Sequence, residues 1–158
     1  MRILGIDPSL SCLGWGVIQF NSPKINYIHS GIIKTRADTR LHIRLSNIAD
    51  SIEQVIDLYK PQVIAMEETF INLNAGSSLK LGYVRGALMA VIGKSGLPFY
   101  EYAPNNIKKT IVSTGHAQKE QVKHMVKTII SGNTDSICFD EADALAVAYT
   151  CLVNQKSL

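Results

Sequence analysis

Apolar and polar positions alternate with two different periods along this chain, and the changes of period mark out its elements. Residues 2–7 form a short apolar run that stops at Asp7-Pro8, because proline offers no further ladder donor and favours a turn. Strands are predicted next over residues 15–20 and 25–34, separated by the turn signal Asn21-Ser22-Pro23. The three read as an antiparallel meander. Over residues 40–59 the period becomes helical. Leu41, Leu45, Ile48, Ile52, Val55, Ile56 and Tyr59 recur at spacings of three and four, and Lys60-Pro61 ends the run. Residues 63–66 read as a buried strand that ends in Glu67 and Glu68.

A Gly/Ser/Asn stretch over residues 72–78 leads into a helix over 78–94, in which Gly82, Gly86 and Ala90 fall on one face. Small residues there cost helix propensity and are explained by close packing, inside the domain or across a dimer, most simply within the core. A short strand over 98–102 and helices over 104–113, 118–130 and 140–153 complete the chain. In the second of these helices Val122, Met125, Val126 and Ile129 face inward, and Lys119, Lys123 and Lys127 form an outer stripe. Strands followed by helices, with one βαβ crossover over residues 40–66, predict a single α/β domain spanning residues 1–158, built on a mixed sheet.

Three features put acids where a purely structural chain rarely keeps them. Asp7 follows an apolar strand directly, Glu67 ends a buried one, and Asp140 and Asp143 lie three apart on one helix face. Like charges gathered this way are destabilising unless a cation offsets them, and all-oxygen ligands suit Mg²⁺ or Mn²⁺ rather than zinc. Each also has a plainer reading. Asp7 fits a turn, Asp140 and Asp143 fit helix capping, and strand alternation leaves open which of Glu67 and Glu68 faces a site.

Composition narrows the function classes. No apolar stretch approaches the ~20 residues of a membrane span, and Asp7 interrupts the apolar start before a secretory signal can form. Three cysteines without a CxxC pair exclude a disulfide framework and a zinc ribbon, which points to the cytoplasm. The net charge of +3 is unevenly spread: residues 71–131 carry eight basic residues and two acids. Such a tract suggests an anionic polymer partner, and a solvated basic face would look the same.

The runs ILGIDPSLSCLGWGVI, IAMEETF, NAGSSLKLGYVRGAL and DEADALAVA, in this order and spacing, resemble the RuvC family of Holliday-junction resolvases over nearly the whole chain. The resemblance implies a ribonuclease-H-like fold, with a central five-stranded mixed sheet flanked by helices, in a homodimer. It implies an endodeoxyribonuclease that resolves four-way DNA junctions by paired hydrolysis in recombination and repair, alongside the branch-migration proteins RuvA and RuvB. It assigns catalytic metal binding, with two Mg²⁺ (or Mn²⁺), to Asp7, Glu67, Asp140 and Asp143, and so selects Glu67 over Glu68. Phe70 matches an aromatic that stacks on bases at the junction centre, and Lys108 and Lys119 match lysines near the scissile phosphate. Lys80, Arg85 and Lys123 of the basic tract are further candidate DNA contacts. Two departures stand out: Ser9 replaces the usual glycine, and Glu141 adds a carboxylate expected to point away from the metals. An RNA-directed relative, an actin-like ATP-binding protein and a non-catalytic DNA-binding module are the competing readings.

Overall fold

The computed structural model of the protein describes residues 1–69, 75–113 and 117–155. Strands β1 (Arg2–Asp7), β2 (Cys12–Asn21), β3 (Lys24–Lys34), β4 (Val63–Glu67) and β5 (Phe99–Tyr102) form one sheet in the order β3-β2-β1-β4-β5. The first three are antiparallel neighbours, whereas β4 joins β1, and β5 joins β4, in parallel. The sheet is therefore five-stranded and mixed, as expected. Helices α1 (Leu41–Tyr59) and α2 (Ala75–Ser95) cover one face, while α3 (Pro104–Val112), α4 (Lys119–Ile129) and α5 (Phe139–Gln155) cover the other.

Alternation along the strands builds both cores at once. Leu4, Ile6, Ile64 and Met66 pack with Ile48, Ile52, Val84 and Leu88 of α1 and α2. Ile3, Val63 and Ala65 point the other way, to Leu145 and Ala148 of α5 and to Ile107 and Val122 of α3 and α4. The helix α5 lies unusually near β1. A Cβ built on Gly5 would stand 2.1 Å from the carbonyl oxygen of Ala144, so only glycine admits the helix here. The alanines of α5 serve the same close approach, which brings the start of that helix to the end of β1.

Some boundaries differ from the sequence pattern. β2 begins at Cys12 rather than residue 15, because Cys12, Leu13 and Gly14 pair with Lys34, Ile33 and Ile32 of β3. α2 begins at Ala75 rather than residue 78. The small-residue face of α2 does not pack in the core: Cβ atoms built on Gly82 and Gly86 meet nothing within 4 Å, so this face is open.

Candidate active site

Because β1 and β4 run in parallel with Ile6 beside Met66, their last residues, Asp7 and Glu67, leave the sheet at the same edge. They also share a side. Gly5 and Ala65 face α5, and two residues on, so do Asp7 and Glu67. Glu68 takes the opposite phase; it is exposed, and its backbone N–H donates to the Tyr102 carbonyl. Glu68 lines a neighbouring groove with Asp7 and Glu67, but only Glu67 reaches the cavity that holds Lys108 and Lys119.

Asp7, Glu67 and Asp143 line one cavity of about 210 Å³ together with Lys108 and Lys119. Burial, then the charges of Glu67, Asp143 and Asp140, pushes the Asp7 carboxyl up to about 8. Burial and the Asp143 charge push Glu67 up to about 7, against the pull of Lys108 and Lys119. Burial also raises Asp143, opposed chiefly by Lys119, whose Nζ stands 3.6 Å from the Asp143 Oδ2. Asp140 sits outside the lining of this cavity, one turn earlier on α5, where its Oδ2 accepts a hydrogen bond from the Cys12 Sγ at 3.1 Å. The four acids are therefore arranged as three plus one, with the fourth still within electrostatic reach of Asp7. Glu141 turns away as expected, accepting from the Ser30 hydroxyl at 2.8 Å and the Cys138 backbone N–H at 2.7 Å.

The basic candidates divide. Lys108 and Lys119 share the carboxylate cavity. Lys80 lines a separate hollow beyond Pro8. Arg85 is ion-paired with Glu101 and donates to the Glu67 backbone carbonyl at 3.4 Å, tying α2 to the ends of β4 and β5. The Lys123 Nζ lies 4.9 Å from the centre of the Phe139 ring. Phe70 lies outside the described residues. Two participants escape a reading of motifs. Cys12 holds Asp140 through a hydrogen bond between residues 128 apart in the sequence. Arg44 is buried and binds Thr35 and the Leu10 carbonyl beside the turn after Asp7. Its signal was a charge in phase with the apolar stripe Ile48, Ile52 and Val55.

The donor set suits a hard divalent cation in its chemistry. It is all carboxylate, partly buried, and held in a state that disfavours negative charge until a cation compensates it. Among the described residues no three His, Cys, Asp or Glu side chains already converge at metal-binding spacing.

A mixed five-stranded sheet with acids ending its two central parallel strands, faced by a helix bearing two more, defines a ribonuclease-H-like α/β domain. The family model of crossover junction endodeoxyribonuclease RuvC matches residues 3–151, and the chain belongs to the RuvC family. It is 50% identical over 156 residues to the Rickettsia bellii (strain RML369-C) protein of that description, covering 99% of both chains. Among solved structures, Thermus thermophilus RuvC superposes with a TM-score of 0.87 at 29% identity, covering 99% of this chain and 96% of that one. The Thermus thermophilus RuvC in complex with Holliday junction substrate superposes with a TM-score of 0.89 at 27% identity and the same coverage. No helix among the described residues is long and apolar enough to cross a membrane.

Proposed function

We propose that this chain is a crossover junction endodeoxyribonuclease that hydrolyses phosphodiester bonds in four-way DNA junctions, making paired cuts on opposing strands. The observation that carries this reading is the cavity in which Asp7, Glu67 and Asp143 face Lys108 and Lys119. A family relative solved with a Holliday junction substrate supports the choice of substrate.

Asp7, Glu67, Asp140 and Asp143 would hold two Mg²⁺, with Mn²⁺ able to substitute; bound ions of this kind supply an activated water and neutralise charge on the phosphate. Asp7 feels the charge of all three other acids and is the candidate shared ligand. Cys12 restrains the Asp140 carboxylate through its Sγ hydrogen bond. Lys119, beside Asp143, and Lys108 present positive charge to the phosphate as its negative charge builds in the transition state. The products would carry 5′-phosphate and 3′-hydroxyl ends. Phe70 would stack on bases at the junction centre, and Lys80 and Lys123 would bind backbone phosphates. Arg85, already paired with Glu101, would act on DNA through the segment it holds.

The open face of α2, where Gly82 and Gly86 lie among exposed Leu79, Tyr83 and Met89, supports a homodimer. Two-fold symmetry would set two equivalent sites against a near-symmetric junction. The enzyme would act in the cytoplasm, in recombination and repair, with RuvA and RuvB as partners. The test is to incubate the protein with a synthetic four-way junction with and without Mg²⁺. Symmetric nicks that disappear in Asp7→Asn, with binding retained, are expected. Cutting of RNA but not of junctions, or binding without any cutting, would overturn the reading.

A further inference from the structure

Arg44 is the one arginine of α1's buried face, only 8% exposed. Its Nε donates to the Thr35 Oγ1 at 2.8 Å and its Nη2 to the Leu10 carbonyl at 3.3 Å. The structure gives its Nη1 no hydrogen bond, and its charge no carboxylate partner, among the described residues. No buried side-chain nitrogen or oxygen among the described residues lacks a hydrogen bond, so this unbonded Nη1 is open to solvent, where a guanidinium can meet an anion.

Arg44 lines a cavity of about 430 Å³ with Lys80 and the hydroxyl-bearing Ser9, Ser11 and Ser77. Among the described residues no Asp or Glu lines it. The Ser9 Oγ accepts from the Cys12 backbone N–H at 3.3 Å, which leaves its hydroxyl hydrogen to donate elsewhere. Two cations and several hydroxyls facing one space match the acceptor oxygens of a phosphodiester. The cavity also adjoins the active-site groove. Pro8 and Leu81 line both this cavity and a groove that contains Asp7 and Glu67. The turn over residues 8–11 therefore has carboxylates at one end and cations at the other.

We propose that this cavity is a second phosphate subsite, in which Arg44 and Lys80 hold a backbone phosphodiester flanking the bond cut between Asp7, Glu67 and Asp143. The subsite rests on the reading of the chain as a nuclease acting on a nucleic-acid strand. Holding that flanking phosphate fixes the strand's register over the carboxylates, so Arg44 is a positioning residue. The same network of Arg44, Thr35 and Leu10 sets the turn that follows Asp7, and strand binding and the active-site backbone are thereby joined.

Single methylphosphonate linkages, which remove one negative charge each, are introduced in turn at the phosphates flanking the cut in a four-way junction. Binding is measured with Asp7→Asn, which does not consume the substrate, and with Asp7→Asn carrying Arg44→Gln. One neutral linkage is expected to weaken binding roughly tenfold in the first protein and to have no effect in the second. A purely structural Arg44 would lower binding to every junction alike and leave the penalty of each neutral linkage intact, and that result overturns the subsite. Circular dichroism checks the fold of the Arg44→Gln protein; should it unfold, Lys80→Gln and Ser11→Asp carry the same comparison, with the same two outcomes. The wild-type chain is assayed in parallel for Mg²⁺-dependent cutting. Failure to cut removes the nuclease reading and the subsite with it, whereas cutting without any linkage-specific coupling removes the subsite alone.

Discussion

The backbone of Gly14 in β2 lies directly against that of Asp140 in α5: a Cβ on Gly14 would stand 2.0 Å from the Asp140 carbonyl oxygen. Gly14 is also the register partner of Asp7. One glycine therefore holds two acids of the candidate site in proximity, one through the strand ladder and one through helix contact. Gly14→Ala must push α5 off the sheet, because the obstructing atoms are backbone and cannot rotate away. A stability loss of at least about 1–3 kcal/mol is expected. Junction cleavage should fall further than the folded fraction does, since the displaced helix carries Asp140 and Asp143. Thermal melts and cleavage rates on the same preparation separate the two effects.

The acidic cavity predicts how stability depends on pH. Asp7 and Glu67 titrate near 8 and 7 in the folded protein, against ordinary values of 3.8 and 4.5. Raised carboxyl values mean that the fold prefers the protonated forms. Their contribution is complete below about pH 4 and is lost as pH rises through about 7 to 8. The metal-free protein should therefore melt at lower temperature at pH 8 than at pH 5. Added Mg²⁺ should restore stability most at the alkaline end, where the ligands are ionised. Asp7→Asn should flatten the metal-free profile and raise Tm at pH 8. Melting curves across that range, with and without the ion, test this; a flat profile for the unmutated protein would contradict the assignment of a repelling cluster.

Glu67 and Glu68 are adjacent in sequence and opposite in phase, which makes them a matched pair. Glu67→Gln should abolish cleavage, a loss of roughly 10²-fold or more for a group at the reacting centre. Above about pH 7 it should also stabilise the metal-free fold, because there it deletes a partly buried charge. Glu68→Gln alters an exposed residue and should leave both melting temperature and rate close to those of the unmutated chain. Equal losses in the two variants would mean that strand phase does not decide which glutamate acts.

Much of this arrangement is legible in the residues alone, and the exceptions have physical reasons. Asp7 stands out because an acid ends an apolar strand beside a proline. Asp143 stands out because DALAVA is otherwise buried. The choice between Glu67 and Glu68 depends on which face of β4 meets α5, and that is a property of packing rather than of pattern. Of the two kinds of close packing that Gly82 and Gly86 admit, within the domain or across a dimer, the first is not what the fold shows, and small residues alone give no sign of which they face. Arg44 is hidden in a pattern of apolar positions because it carries a charge, yet its phase with Ile48 implies burial. The hydrogen bond from Cys12 to Asp140 joins residues 128 apart, and no local spacing could announce it.

Lys119 offers the sharpest test of how the site handles charge. Its ammonium is mostly exposed yet stands 3.6 Å from Asp143, and it lowers the charging cost of Asp7, Glu67 and Asp143 alike. An exposed lysine contributes little to folding, so Lys119→Gln should leave Tm nearly unchanged. Junction binding should weaken modestly, with the salt dependence of affinity falling by about one phosphate contact. Cleavage should drop far more, roughly 10²-fold, because the missing charge is the one that offsets the phosphate as it reacts. Lys109, exposed on α3 and outside the cavity lining, is the control: Lys109→Gln should alter neither rate nor stability. Single-turnover cleavage rates beside binding isotherms at several salt concentrations distinguish these outcomes. If Lys119→Gln and Lys109→Gln weaken binding equally and leave the rate of the bound complex intact, Lys119 serves the surface field of the basic tract and not the reaction.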